Sequence, residues 1–129
     1  MKNGAGFKEL YEKAKAAGMA AGEAAKPVMM VVRGEDILIN GEPISPGKVW
    51  YEPEGACGFA WVKVRPGNSS FAKWLKAEGI VRGKAYSGGV DIWIGEFNQS
   101  MARKAACAGA MARVLSEAGI KAYADSRMD

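Results

Sequence analysis

Phe59-Ala60-Trp61-Val62-Lys63-Val64-Arg65 and Val90-Asp91-Ile92-Trp93-Ile94-Gly95-Glu96 are the two stretches that decide how this chain is read. In both, small or aliphatic residues alternate with tryptophan and charge, the two-residue period of a β-strand with one face toward a core. Ala60, Val62 and Val64 fall on one side of the first stretch, and Val90, Ile92 and Ile94 on one side of the second. The other side carries Phe59, Trp61, Lys63 and Arg65 in the first, and Asp91, Trp93 and Phe97 in the second. Such strands predict a sheet with one apolar face against helices and one aromatic, charged face turned elsewhere.

Working outward, Pro66-Gly67-Asn68-Ser69-Ser70 reads as a loop into a short helix carrying Phe71, Ala72, Trp74 and Leu75, stopped at Gly79. Residues 80–87 are expected to form a short strand, and Gly88-Gly89 a tight hairpin turn into a strand over 90–97. Asn98 or Ser100 caps the longest helix, expected over 101–118 and ended by Gly119. Its Met101, Ala105, Ala108, Met111, Ala112, Leu115 and Ala118 make a wide, alanine-rich face suited to lying on a sheet. Residues 120–126 close the chain as a strand, with Ala122 and Ala124 inward and Lys121, Tyr123, Asp125 and Arg127 opposite. The order β-α-β-β-α-β is the split βαβ arrangement of ferredoxin-like folds. The expected class is therefore α+β, with a mostly antiparallel sheet, 59–65 and 90–97 in its middle, and both helices on one face.

Before residue 59 the chain reads as a helix and short β-hairpins. Phe7, Leu10, Tyr11, Ala14, Ala17, Ala21 and Ala25 recur at helical spacing over 6–25, and Pro27 ends the run. Gly18 and Gly22 weaken that helix but allow another element to approach closely. Strands are expected over 28–33, 37–39, 42–44 and 48–52, with Asn40-Gly41 the strongest hairpin signal in the chain. These pieces are too slight to fold alone. The 129 residues read as one domain, with 1–58 a helix and hairpin cover on a core of 59–129.

Composition narrows the function classes. Hydrophobic residues make up 49% and charged residues 25%, which argues against a disordered chain. No apolar run approaches the ~18 residues of a membrane span. The N-terminus lacks the apolar core of a secretory signal, so the protein is expected in the cytoplasm and not secreted. The net charge of +4 favours anionic partners without the density of a dedicated polycation. Cys57 and Cys107 fit no zinc pattern and read as free thiols, with Cys57 a small packing residue between Ala56 and Gly58. The chain has no histidine, which removes Ser-His and Cys-His dyads and most transition-metal sites. No catalytic residue, metal ligand or cofactor is assigned.

Two constellations carry the functional reading. On the non-core side of the strands Trp61, Trp93 and Tyr123 share a face with Lys63, Arg65 and Arg127. Aromatics on central strands with cations around them are how RNA-recognition modules stack bases, although the glycine-rich setting of the RNP consensus is missing. The first helix competes for that face, because Phe7, Leu10 and Tyr11 must be buried and this is the nearest sheet surface. If it docks there, Trp61 and Trp93 are core residues. The second constellation is Arg103 and Lys104 in the first turn of the long helix, where the dipole disfavours cations unless an anion docks on the free amides. Ion pairing with Glu96 is the simpler account. The 66–70 loop offers a phosphate a helix N-terminus but lacks the Gly-Lys-Ser/Thr ending of a P-loop, and an Asn or Ser cap explains it as well.

At Gly55-Ala-Cys-Gly-Phe-Ala-Trp-Val62, Gly88-Gly-Val-Asp-Ile-Trp-Ile94, Gln99-Ser-Met-Ala-Arg-Lys104 and Ser126-Arg-Met-Asp129 the chain resembles a group of small uncharacterised proteins encoded by tailed bacteriophages. The resemblance runs nearly the whole length. It implies a phage-type origin and an intracellular setting in an infected bacterium, and it carries no site residue over. The leading expectation is a non-enzymatic protein that binds single-stranded nucleic acid. The alternatives are a binder of a nucleotide signal or host factor, with Trp61 or Trp93 and Arg65, Arg103 or Lys104 lining its pocket, and a virion structural or assembly protein that forms a homo-oligomer.

Overall fold

The computed structural model describes residues 4–26, 30–33, 38–39, 42–43, 49–52, 57–83, 88–98 and 100–128. Helix α1 (Gly4–Ala24) is followed by strands β1 (Met30–Arg33), β2 (Leu38–Ile39), β3 (Glu42–Pro43) and β4 (Val49–Glu52). Then come β5 (Gly58–Val64), α2 (Ser70–Ala77), β6 (Val90–Trp93), α3 (Met101–Glu117) and β7 (Ala122–Met128). The chain is α+β. Among the described residues its main sheet has three strands in the order β6-β5-β7, both pairings antiparallel. β1 pairs with β4, and β2 with β3, as two separate antiparallel ribbons.

The inward face follows the alternation in sequence. Ala60, Val62, Val64, Val90, Ile92 and Ile94 are all buried, in one cluster with Phe71, Leu75, Met111 and Leu115 of the helices. Ser69 caps α2 by accepting from the Ala72 amide at 3.3 Å, and Ser100 caps α3 by accepting from Arg103 at 3.4 Å. Gly79 and Gly119 follow α2 and α3 with positive φ, the conformation that ends a helix.

Helix α1 takes a different place from the one expected. It packs on α3, and its Phe7 meets Phe71 edge-on at 5.4 Å and Trp74 at 6.2 Å on α2. Phe7, Leu10 and Ala14 join the same core as the inward strand residues. The expectation that α1 buries its stripe against Trp61 and Trp93 is thereby corrected. The reason is local fit: a side chain at Gly18 would stand 2.6 Å from Met111 Cγ and 2.9 Å from Cys107 Sγ, so only glycine lets α1 come this close to α3.

Other expectations shift as well. The strand expected over 90–97 ends at Trp93, with the Ile94 amide still donating to the Ala60 carbonyl at 3.0 Å, and Phe97 (φ 69°) and Asn98 (φ 51°) lie beyond it outside the extended region. Phe97 then packs against Gly22 of α1 instead of sharing the Trp93 face. The last strand lies over 122–128 in place of 120–126, and Ala124, on the inward side opposite Val62, is nevertheless exposed. The strand expected over 80–87 is not formed at 80–83, where the chain bends, and its remainder lies outside the described residues. So do the Asn40-Gly41 turn, Pro27 and the 53–56 loop. Cys57 is exposed instead of packed, Cys107 is buried, and both thiols are free.

Candidate nucleic-acid interface

The face of the sheet away from the helices is built by register. Trp61 of β5 stands opposite Trp93 of β6, and their rings lie 4.8 Å apart at 41°. Phe59, two residues earlier on β5, reaches Trp93 edge-on at 6.3 Å. On the other flank Arg127 of β7 stands opposite Phe59 and holds its guanidinium 5.4 Å from the ring centroid. Arg65 lies 5.6 Å from the Tyr123 ring in the same manner. The result is a strip of aromatic rings with a guanidinium at each end, a geometry that contributes through cation–π attraction.

Exposure ranks these residues. Trp93 is 52% exposed and Tyr123 43%, large values for aromatics in a chain with a formed core. Phe59 and Trp61 are half-buried, and among the described residues the buried Trp61 indole N–H meets no acceptor.

Three of the expected contact residues serve the fold instead. Lys63 is 3% exposed, pairs with Asp91 at 2.7 Å, and donates to the Gly88 carbonyl at 2.6 Å. Lys104, 5% exposed, reaches past Gly58 to donate to its carbonyl at 3.4 Å, with its ammonium 5.7 Å from the Phe59 ring. Arg103 donates to the Gly22 and Glu23 carbonyls at 3.0 and 2.9 Å, satisfying acceptors that the end of α1 leaves open. Its place at the start of α3 is thus explained by α1. Glu96, the partner expected for that pair, meets Lys15 of α1 at 2.6 Å. The hydrogen bond from Lys15 holds the Glu96 carboxyl below the usual carboxylate range. Burial pushes the Cys107 thiol and the Tyr11 phenol up.

At one end of the sheet a cleft of about 250 Å³ opens between the 66–70 loop and the turn after α3. Arg65, Ser69, Ser70 and Lys121 line it together with Phe7, Phe71 and Ile120. Sequence reading missed this cleft, since its walls come from segments far apart in the chain. It contains Arg65 but neither tryptophan, so the pocket expected to combine the two does not form among the described residues. The 66–70 loop itself is tied down by the Ser69 cap and by Lys76, which donates to the Gly67 carbonyl at 2.8 Å.

Among the described residues no group of three or more His, Cys, Asp or Glu side chains is placed to hold a metal ion, and no helix is long and apolar enough to cross a membrane. No protein-family model, curated protein or solved structure matches the chain.

Proposed function

We propose that the chain is a non-enzymatic protein that binds single-stranded nucleic acid on the aromatic face of its sheet. The observation that carries this reading is Trp93, half in solvent on a strip of rings whose ends bear Arg127 and Arg65. An indole packed against its cross-strand neighbour Trp61 and edge-on to Phe59 offers a base a ring to stack on, and base–aromatic stacking is worth roughly 1–3 kcal/mol. The guanidiniums supply phosphate contacts at the strip's margins. Lys63, Arg103 and Lys104 take no part, being committed to backbone carbonyls and an ion pair.

Two finer readings belong to the same proposal. The described strands stand in the order and antiparallel sense that a ferredoxin-like fold gives its fourth, first and third strands. The phage resemblance in sequence is consistent with a small intracellular binder made during infection. The test is a fluorescence titration of a labelled single-stranded oligonucleotide, in DNA and RNA forms, at two salt concentrations. Saturable binding that weakens with salt is the expected result, and no interaction at micromolar protein in low salt sinks the reading.

A further inference from the structure

Strand β7 is an edge. Among the described residues it pairs with β5 alone, and from Tyr123 to Met128 every residue is exposed, Met128 at 65%. Which of its peptide groups face outward follows from the ladder. The Arg65 amide donates to the Lys121 carbonyl at 3.0 Å, so the β7 residues that bond toward β5 are Tyr123, Asp125 and Arg127. The amides and carbonyls of Ala122, Ala124, Ser126 and Met128 therefore point away from the sheet. Two of these outward groups are met by side chains: the Ser126 amide donates to Asp125 Oδ1 at 2.8 Å, and the Ala122 carbonyl accepts from Ser116 Oγ at 2.9 Å. A row of outward donors and acceptors on an exposed strand is a template for another strand.

We propose that the occupant is a second copy of this chain, joined through antiparallel β7–β7 pairing about a two-fold axis at Ser126. The charge pattern selects the partner and the register. With Ser126 opposite its own copy, Asp125 faces the copy's Arg127 and Arg127 the copy's Asp125, so both charged pairs attract. Ala124 and Met128 then meet across the axis on the other face, covering the exposed thioether. Moving the axis to Asp125 sets two carboxylates opposite each other, and moving it to Arg127 sets two guanidiniums opposite each other. Parity agrees, because the pairs at Ser126 and at Ala124 with Met128 are those whose peptide groups point outward. The pairing adds roughly six backbone hydrogen bonds. Asp125 leaves the Ser126 amide for the copy's Arg127, and the amide gains the copy's carbonyl. The two sheets become one of six strands, with a continuous aromatic face. This assembly does not depend on what that face binds.

The test is the solution mass of the full chain by sedimentation equilibrium, from about 1 to about 200 µM, together with three variants whose folding is followed by thermal melting. The wild type is expected to move from 13.7 kDa toward twice that mass with concentration. Ser126→Pro removes one outward amide without touching the β5 ladder and is expected to abolish the dimer. Asp125→Arg and Arg127→Asp each put like charges opposite one another twice, and each is expected to raise the dimer dissociation constant about tenfold or more. Those two variants are complementary to one another, so an equimolar mixture is expected to recover dimer to within about threefold of wild type. A wild type that stays monomeric throughout overturns the proposal. So does a dimer that is indifferent to both charge reversals, or a mixture of the two that remains monomeric. Should Ser126→Pro not fold, the two charge variants and their mixture still decide the outcome.

Discussion

Trp93 and Lys63 sit on the same side of the sheet, two positions apart in register, and have opposite fates. Trp93 projects into solvent at the sheet edge, whereas Lys63 lies on the central strand between Asp91 and the Gly88 carbonyl. Their substitutions should therefore separate binding from stability. Trp93→Ala removes a stacking surface together with the ring contacts to Trp61 and Phe59, and is expected to weaken oligonucleotide binding by roughly 5- to 100-fold at a moderate cost in melting temperature. Lys63→Ala leaves Asp91 without its cation in a mostly buried setting, which costs on the order of 3 kcal/mol. It is expected to lower the denaturation midpoint while the folded fraction binds as before. Oligonucleotide titration and urea unfolding on the two variants check the contrast. If Lys63→Ala loses affinity at full stability, the buried lysine is in contact with ligand after all. From the sequence these two residues look alike as members of one aromatic, charged face. The difference arises from the Gly88 carbonyl and the Asp91 carboxylate that meet the Lys63 ammonium, and alternation alone carries no trace of them.

At the scale of elements, α1 is held to the rest by close backbone approach and by a small set of polar ties. Gly18 is pressed on Met111 and Cys107, whereas a side chain at Gly109, within α3, would meet nothing within 4 Å. Both are helix-interior glycines, and alanine at either improves helix propensity by roughly 1 kcal/mol. Gly109→Ala is expected to show that gain, while Gly18→Ala is expected to lose on balance, since overpacking costs about 1–3 kcal/mol. Calorimetry should show melting temperatures moving in opposite directions, and a rise in both would refute the close α1–α3 fit. The Lys15–Glu96 pair ties α1 to the segment after β6. Because Glu96 titrates below its ordinary range when folded, its contribution is present above the usual glutamate pKa of about 4.3. It is lost as pH falls through the lower folded value. The melting-temperature advantage of wild type over Glu96→Gln is expected to be constant near neutrality and to vanish in acid. The advantage is small, since both side chains are part-exposed. The sequence showed that α1 has an apolar stripe, and that Gly18 and Gly22 permit close approach. It did not show against what, because a stripe of alanines fits a helix as well as a sheet. The strand ends were misplaced for a similar reason: the turn of Phe97 and Asn98 into positive φ follows from packing on Gly22.

For the molecule as a whole, the inward faces of β5 and β6, both helix caps and the α+β class were legible, since each rests on period or on a local hydrogen bond. Which cations stand against the aromatic rings was not, since that depends on carbonyls presented by distant segments. The net charge of +4 consequently overstates the binding face. Among the described residues Lys63 and Lys104 are buried and Arg103 is placed on the carbonyls of α1, while Arg65 and Arg127 stand against rings of the aromatic face. Counterion release from single strands scales as about −0.7 per phosphate neutralised, so two to three contacts predict a log–log salt slope near −1.5 to −2. Between about 50 and 200 mM salt the affinity should then fall roughly tenfold, with stacking on Trp93 supplying the salt-independent remainder. A slope near −4 would mean that the molecule binds as a diffuse polycation and that the strip is incidental. The double variant Arg65→Gln with Arg127→Gln separates the two cases. Its slope is expected to approach zero if those guanidiniums carry the phosphate contacts, and to stay steep if the charge acts from elsewhere on the surface.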